Sequence, residues 1–249
     1  MIPAPISLTE TQIFTATVAF LNGIGLGSSV AGQPVPVIRG QVNRVPQPAQ
    51  TDYVVIWPVT RARLETNTDT LADVIVIGAI ASNVLTASAV TGGALVTGAF
   101  LVGSNVTPGC QVQQQTGGTP GGAGTYALTP TADGAGPYYA GTQASLQPVE
   151  VTLQADVHGP ASADNAARIG TLFRDQYGVA AFQASGFDVA PLYASDPRQT
   201  AFDSGEQQVE ERWSIDLCMQ ANIAVTTPMQ FAAALHATLR PVFAGQSEG

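Results

Sequence analysis

Asp156 and His158 are the two residues whose types and spacing could most directly carry out chemistry. They lie two positions apart in an alternating segment, so a strand would place both on one polar face. A carboxylate can orient an imidazole for proton transfer, and the two side chains could also ligate a metal ion. The other histidine, His236, is far along the chain, and no third ligand is obvious. We therefore interpret the pair as a solvated polar strand end before Gly159-Pro160, and rank an enzymatic role last among the hypotheses.

The glycine-rich run from Gly121 to Thr125 superficially resembles a phosphate-binding loop. It leads into Tyr126-Ala127-Leu128, which has the composition of a strand, whereas phosphate loops open a helix and carry a lysine. The chain contains no lysine, which also removes Schiff-base chemistry and PLP attachment. Neither Ser185 nor Ser204 has a nucleophile elbow around it. We predict a hairpin turn at the glycine-rich run, and no catalytic, cofactor-binding or metal-binding residue.

A cluster of carboxylates between residues 203 and 211 lies where the longest alternating segment begins. The carboxylates lack the regular spacing of a metal site, so we interpret them as solvated or facing an interface. Arg198 and Arg212 are possible partners across a subunit boundary, and charge reversal at Arg212 is expected to disturb assembly more than folding. The predicted subunit-interface residues are Arg198, Glu206, Glu210, Glu211, Arg212, Asp216, Asp156 and His158.

The composition limits the kinds of partner that the chain can hold. With 249 residues and 45% hydrophobic content, it could bury one sizeable core or two modest ones. Nine arginines face 18 carboxylates, for a net charge of -9. This excess argues against a surface that grips nucleic acid, which needs clustered cations. It is compatible with a surface that DNA passes without sticking.

Cysteine usage and apolar runs indicate a soluble protein without an export signal. Cys110 and Cys218 are more readily explained as two unpaired thiols than as a disulfide, although the sequence leaves both open. The N-terminus lacks the basic region of a signal peptide. The longest apolar runs, such as residues 74–81, are far too short to span a bilayer.

Two alternating segments set the predicted architecture. From 207 to 225 the odd positions are almost all apolar and the even positions polar, which is the pattern of a strand with one buried and one wet face. Residues 149–158 repeat the pattern. Shorter strands are predicted at residues 37–42, 53–57 (closed by Pro58) and 189–193.

Capping signals predict the helices beside these strands. Ser7 and Glu10 form a capping box for a helix from about residue 8 to 24. Ser162 can cap a helix over residues 163–177, with Gly178 as its C-cap. Thr227-Pro228-Met229-Gln230 offers a third start, for a helix from 228 to about 236.

The middle of the chain, residues 73–147, has a different composition. Glycine, threonine, alanine and valine dominate, and Asp73 and Asp133 are its only charged residues. Short apolar pieces at 84–89, 99–102, 111–115 and 125–128 alternate with turn signals, which favours a small all-β module over a flexible linker. The predicted fold is α+β: a mostly antiparallel sheet with two to three helices packed on it, plus this inserted module. The predicted domains are 1–72 with 148–249, and 73–147.

Several segments resemble the neck or tail-terminator (tail completion) proteins of tailed bacteriophages, over about 1–72 and 148–243. They are residues 40–46, 53–58, 154–166, 171–175, 191–197 and 205–208. The resemblance implies a virion protein that forms a ring, usually a hexamer, between the tail tube and the head connector. Such a ring stops tube polymerisation, leaves a channel for DNA and has no catalytic residues. Residues 73–147 look like an insertion, similar to small β modules that decorate phage structural proteins.

A second hypothesis makes the chain an adhesive decoration protein that binds a receptor or glycan through the inserted module. The aromatic residues available for stacking on a sugar would be Phe100, Tyr126, Tyr138 and Tyr139. Binding of the isolated 74–147 segment to a glycan array would favour this hypothesis over the ring-forming one.

Overall fold

A computed structural model describes residues 6–40, 48–200, 202–203 and 209–229. The chain divides into two compact units. The larger unit draws on residues 4–70 and 145–225, and the smaller unit draws mainly on residues 71–144. That the smaller unit is an insertion with its own role stays a prediction.

The N-cap of the first helix, α1 (Glu10–Gly23), lies two residues later than predicted. Thr9 is the N-cap: its backbone N–H donates to Gln12 Oε1 at 2.7 Å, and the Gln12 N–H donates to Thr9 Oγ1 at 3.3 Å. The prediction of Ser7 and Glu10 was wrong because the same box recurs two positions on, as threonine and glutamine. Glu10 instead forms an ion pair with Arg39.

The single helix predicted over residues 163–177 is two helices, α2 (Ser162–Phe173) and α3 (Gln176–Ala184). The Asp175 carboxylate accepts from the Gln176 N–H at 2.6 Å and so starts α3. Gly178 is not a C-cap but lies inside α3, where a Cβ would meet the Phe173 carbonyl oxygen at 2.7 Å. Its missing side chain lets the two helices approach closely.

Ser162 does not act as the predicted N-cap of α2. The cap residue is Ala161, which makes no side-chain cap bond. Its N–H donates instead to Asp52 Oδ1 at 2.9 Å, and Asp52 also accepts from the N–H and hydroxyl of Ser29. Burial alone would raise the pKa of Asp52, but these hydrogen bonds outweigh it and lower the pKa.

The larger unit is built on a sheet centred on its longest strands. β2 (Tyr53–Arg63) lies parallel to β1 (Val37–Arg39) and antiparallel to β7 (Gly134–His158), which contributes its C-terminal half. β12 (Arg212–Met229) pairs with β7, and antiparallel with β8 (Val189–Ala194) and β9 (Arg198–Gln199). β10 (Phe202–Asp203) pairs with β11 (Val209–Glu210).

The predicted long strand exists but has different ends. It is interrupted at Glu211, between β11 and β12, and β12 continues through Pro228 and Met229. These two residues therefore do not start a helix, and the rest of that predicted helix lies outside the described residues. β2 likewise continues past Pro58, because the register shifts between Pro58 and Thr60.

The core of the larger unit lies between one face of this sheet and the helices. Alternate residues of β7 are buried there, as are Ile215, Leu217 and Met219 of β12. Three rings from the helices meet over them: Phe173 lies edge-on to Phe20 and Phe182, with centroids 5.6 and 5.8 Å apart. This arrangement confirms the predicted α+β class with a mostly antiparallel sheet.

The smaller unit is all-β in its described residues. The N-terminal half of β7 lies beside β3 (Thr68–Ala81), and β4 (Val84–Thr91), β6 (Gly124–Leu128) and β5 (Val112–Gly118) follow in that order. β5 and β6 are antiparallel, so the glycine-rich run between them is the predicted hairpin turn. The core of this unit includes Val74, Leu85, Leu101 and Tyr126. The predicted strands at 84–89 and 125–128 are present as β4 and β6, whereas the first half of β7 was not predicted.

In the part of the chain that the structure describes, every helix is too short or too polar to cross a membrane.

Candidate functional site

The strands of the larger unit carry polar side chains on the face away from the helices, here called the polar sheet face. Ser214 hydrogen-bonds Asp156, and Cys218 lies 3.5 Å from Thr152, so residue numbers rise along β12 as they fall along β7. The paired register of β2 puts aromatic residues on the same face. Its members are Tyr53, Trp57, Glu150, Thr152, Gln154, Asp156, His158, Tyr193, Arg198, Arg212, Ser214, Asp216 and Cys218.

One end of the polar sheet face is a buried polar cluster. Asp156 is 1% exposed and His158 is 4% exposed, so their interpretation as a solvated strand end was wrong. Asp156 Oδ1 accepts from the Ser214 hydroxyl at 2.5 Å and from Gln154 Nε2 at 2.8 Å. Arg212 Nη1 lies 3.9 Å from Asp156 Oδ2. A buried carboxylate with these partners stabilises the packing of β7 against β12.

His158 completes the cluster through its ring. The imidazole stacks on Tyr53 with centroids 4.4 Å apart and an angle of 8° between the planes. Its Nδ1 lies 3.7 Å from Glu210 Oε1. Burial lowers the pKa of His158 to about 4; Asp156 opposes this shift and Arg212 adds to it. A neutral, buried imidazole at neutral pH fits a structural role better than proton exchange with a substrate.

Acid is expected to weaken the larger unit through His158. Its pKa is about 4 in the folded chain against an ordinary 6.5, so the unfolded chain binds the proton first. Stability is therefore fully present above about pH 6.5 and is lost between there and pH 4, by about 3 kcal/mol at about 1.4 kcal/mol per unit. Urea unfolding at several pH values measures the loss.

His158→Phe is the control for this prediction, because phenylalanine can keep the stack on Tyr53. Burial raises the pKa of Glu210, which the Tyr53 hydroxyl partly offsets, and this group gives a pH dependence of the opposite sign. Asp156, Arg212 and Glu210 are present in both chains. Subtracting the pH dependence of stability of His158→Phe from that of the unsubstituted chain therefore isolates the contribution of His158. The same pH dependence in both chains would contradict the assignment.

Apart from buried Cys218, the remainder of the polar sheet face is at least partly accessible. Arg198, whose side chain is 59% exposed, donates to Asp216 Oδ2 at 2.9 Å. Tyr193 is 49% exposed, and its hydroxyl donates to Glu150 Oε1 at 3.2 Å. Trp57 lies half-buried opposite Gln154. Tyrosine, tryptophan and arginine are enriched in protein–protein interfaces, and all three are present on this part of the face.

The structure brings together most of the predicted interface residues, but in pairs within one chain. Asp156, His158, Glu210 and Arg212 form the buried cluster, and Arg198 pairs with Asp216. Both arginines expected to reach across a subunit boundary thus have carboxylates of their own chain nearby. Two predicted interface residues are left. Glu211 is exposed, and its backbone carbonyl accepts a hydrogen bond from the Gly159 N–H. Glu206 lies outside the described residues.

Sequence reasoning missed the aromatic half of the polar sheet face. Tyr53 and Trp57 were interpreted only as parts of a short strand. Their alternate spacing in β2 would have placed them on one face, but which face depends on the register that sets Tyr53 opposite His158. That register depends on the pairing of β2 with β7, so the sequence of β2 alone does not predict it.

Other candidate residues are buried or scattered. Cys110 and Cys218 are free and buried, as the favoured interpretation had it. Across the described ranges, no three histidine, cysteine or carboxylate side chains are grouped to hold a metal ion. In the smaller unit Tyr126 and Tyr138 are buried, which leaves Tyr139 as the exposed ring of the four aromatics considered for sugar stacking.

Two segments that carried the resemblance to phage proteins meet at a shallow groove beside α2. The groove is lined by Thr171 of α2, by Arg174 directly after the helix and by residues 195–197 after β8. Arg174 donates to the Ala194 carbonyl and lies 3.5 Å from Asp196 Oδ1. These contacts of Arg174 join the two segments at the groove.

A family model described as phage neck terminator protein matches residues 93–239, more than half of the chain. The matched range contains β8, most of the polar sheet face on β7 and β12, and the groove beside α2. It also covers residues 93–147, which the resemblance drawn from the sequence had set aside as an insertion. A search of curated proteins found no match.

Proposed function

Because the chain belongs to the phage neck terminator protein family, we propose that it assembles into a homo-oligomeric ring, a hexamer, in the neck of the virion. The ring caps the tail tube, joins it to the head connector and leaves a channel through which DNA passes. The family match is the observation that carries this proposal. Membership makes the chain a structural protein of the phage neck, and the polar sheet face is its proposed contact with the neighbouring subunit.

The exposed part of the polar sheet face suits a contact between identical subunits. Arg198 and Asp216 offer one charge of each sign close together, so a neighbouring copy can pair with both. Tyr193 and Trp57 add apolar area that is already partly out of water. Such mixed surfaces give specificity and orientation, which a closed ring requires.

The charge of the chain suits a channel for DNA. Five described arginines, Arg39, Arg61, Arg174, Arg198 and Arg212, lie within 4.0 Å of a carboxylate. These ion pairs reduce the positive charge available to phosphates on the described residues, and the net charge of -9 repels them. DNA would pass without specific binding.

Arg198→Glu is expected to reduce ring formation without unfolding the subunit. The reversal places a carboxylate beside Asp216 on the proposed contact, whereas an exposed pair of this kind contributes at most about 1 kcal/mol to stability. Light scattering measures the assembled fraction, and urea unfolding measures the stability. Arg63→Glu is the matched control, because Arg63 is exposed and pairs with Val149 on the opposite face of the sheet.

Normal rings from Arg198→Glu would argue against this contact surface. Charge reversal at Arg212, which the sequence suggested as a test of assembly, would not separate assembly from folding. Its side chain is 22% exposed and faces buried Asp156, so a glutamate there would disturb folding first.

A further inference from the structure

The sheet of the smaller unit has one covered and one open face. On the covered face, Val74 and Val76 of β3 are part of the unit's core, together with Leu95 and Leu101 from the segment after β4. Three alternate residues of β3 are exposed and apolar: Leu71 is 61% exposed, Ile75 39% and Ile77 48%, with exposed Asp73 between the first two. A row of exposed large apolar side chains is unusual on a free surface and indicates a contact.

Neighbouring strands widen this open face. Ile77 pairs with Ala89 of β4, which is also exposed. Ser145 donates to Asp69, and continuing that register along β3 and β7 sets Ile75 beside Tyr139, which is 41% exposed. We call this surface the apolar β3 face, defined by Leu71, Ile75, Ile77, Ala89 and Tyr139.

The end of β12 delivers the chain into the same unit. The Thr227 hydroxyl donates to the Gln143 carbonyl of β7 at 3.5 Å. Pro228 lies against Gly98, where a Cβ would meet its ring at 3.4 Å. Thr227, two residues before the described chain ends at Met229, therefore lies beside the strand that carries Tyr139.

The sequence of residues 230–249 complements the apolar β3 face. Phe231, Leu235 and Leu239 recur at every fourth position and would share one side of a helix. Arg240 is the segment's only arginine, and no carboxylate precedes Glu248. The smaller unit offers the opposite charge, since residues 71–144 contain two aspartates and no cation. One of them, Asp73, is exposed on β3 between Leu71 and Ile75.

We propose that residues 230–249 pack on the apolar β3 face of their own chain, through Phe231, Leu235 and Leu239. A helix of about twelve residues is about 18 Å long, whereas two strand spacings from β7 to β4 amount to about 10 Å. The segment is therefore long enough to cross the face. A sheet with one apolar face covered by a helix is a stable layer arrangement. This inference is independent of the proposed ring.

A second copy of the chain is a poorer occupant of this face. Two such faces in contact would bring their Asp73 carboxylates together, and residues 71–144 supply no cation to offset them. A tethered segment also competes at a high effective concentration, which a separate molecule lacks.

Thiol labelling in the full chain tests the proposal. Ile77→Cys provides the probe, while Cys110 and Cys218 are buried and report on folding. Adding Leu235→Asp with Leu239→Asp is expected to speed labelling of the probe by about tenfold, because the cover is lost. Ala233→Asp with Ala237→Asp introduces the same charges on the other side of a helix and is expected to leave the rate unchanged. Equal rates in all three chains would overturn the proposal.

A second measurement does not depend on the stability of those variants. In a chain with Ile77→Cys and Leu235→Cys, a short bifunctional thiol reagent is expected to link the two cysteines within one molecule. Products joining two chains, or no product at all, would overturn the proposal. Protection of the probe that grows with protein concentration would likewise assign the face to a second copy.

Discussion

Replacing Asp156 with alanine is expected to lower the free energy of unfolding of the full chain by about 3–5 kcal/mol. The carboxylate is 1% exposed and accepts hydrogen bonds from Ser214 and Gln154. Its removal would leave these donors, and the nearby Arg212 guanidinium, without their buried acceptor. Breaking a buried charge pair from one side costs more than the pair itself contributes. Urea unfolding monitored by circular dichroism measures the loss.

Asp216→Ala is the matched control for that substitution. Asp216 lies on the same face and also pairs with an arginine, but its side chain is 24% exposed and Arg198 is 59% exposed. We expect a loss below about 1 kcal/mol, since water screens the pair and can replace it. Equal losses at the two positions would show that the buried cluster does not stabilise the fold.

Phe173→Ala is expected to cost about 3–5 kcal/mol for a different reason. The ring is fully buried and meets Phe20 and Phe182 edge-on, so alanine would leave a cavity that three elements line. Because α1, α2 and α3 all pack there, the cavity cannot close by moving one side chain. Thermal and urea unfolding of the full chain both report the loss.

Leu172→Ala tests whether burial causes the loss at Phe173. Leu172 is next along α2 but only partly buried, so we expect a loss below about 2 kcal/mol. If Leu172→Ala destabilises the chain as much as Phe173→Ala does, the aromatic cluster is not the centre of the core.

The alternating segments predicted the central strands because the core imposes the pattern directly. Val149, Val151 and Leu153 are buried on one side of β7, as their spacing required. The first half of the same strand was missed, since Gly134, Gly136 and Pro137 have the composition of a loop. Pairing with β3 keeps those residues extended, and this partner is distant in sequence.

The buried polar cluster was unpredictable from its own strand. Asp156 and His158 occupy the polar positions of an alternating segment, which normally face water. Tyr53 contacts them from β2, and Glu210 and Arg212 contact them from the segment around the start of β12, so two distant parts of the chain are involved. Sequence reasoning could name most of these residues as candidates, but not that they would lie together. Tertiary contacts decided their burial.

The division between α2 and α3 shows a similar limit on a smaller scale. Phe173 and Tyr177 share a helical spacing, so one helix ending at Tyr177, with Gly178 as its C-cap, was predicted. Asp175 instead caps a new helix, in which Phe182 is buried while Tyr177 is exposed. The capping aspartate was visible in the sequence, but its effect depends on where Phe182 finds the core.

The mass of the purified full chain, measured by light scattering with and without tail tubes of the same phage, tests the proposed function most directly. Negative-stain imaging of the same samples shows whether the assemblies are closed. We expect closed rings, either in the free protein or once tubes are added, and tubes that stop growing when the protein is bound. A chain that stays monomeric with tubes present and leaves their length unchanged would contradict the proposed terminator ring.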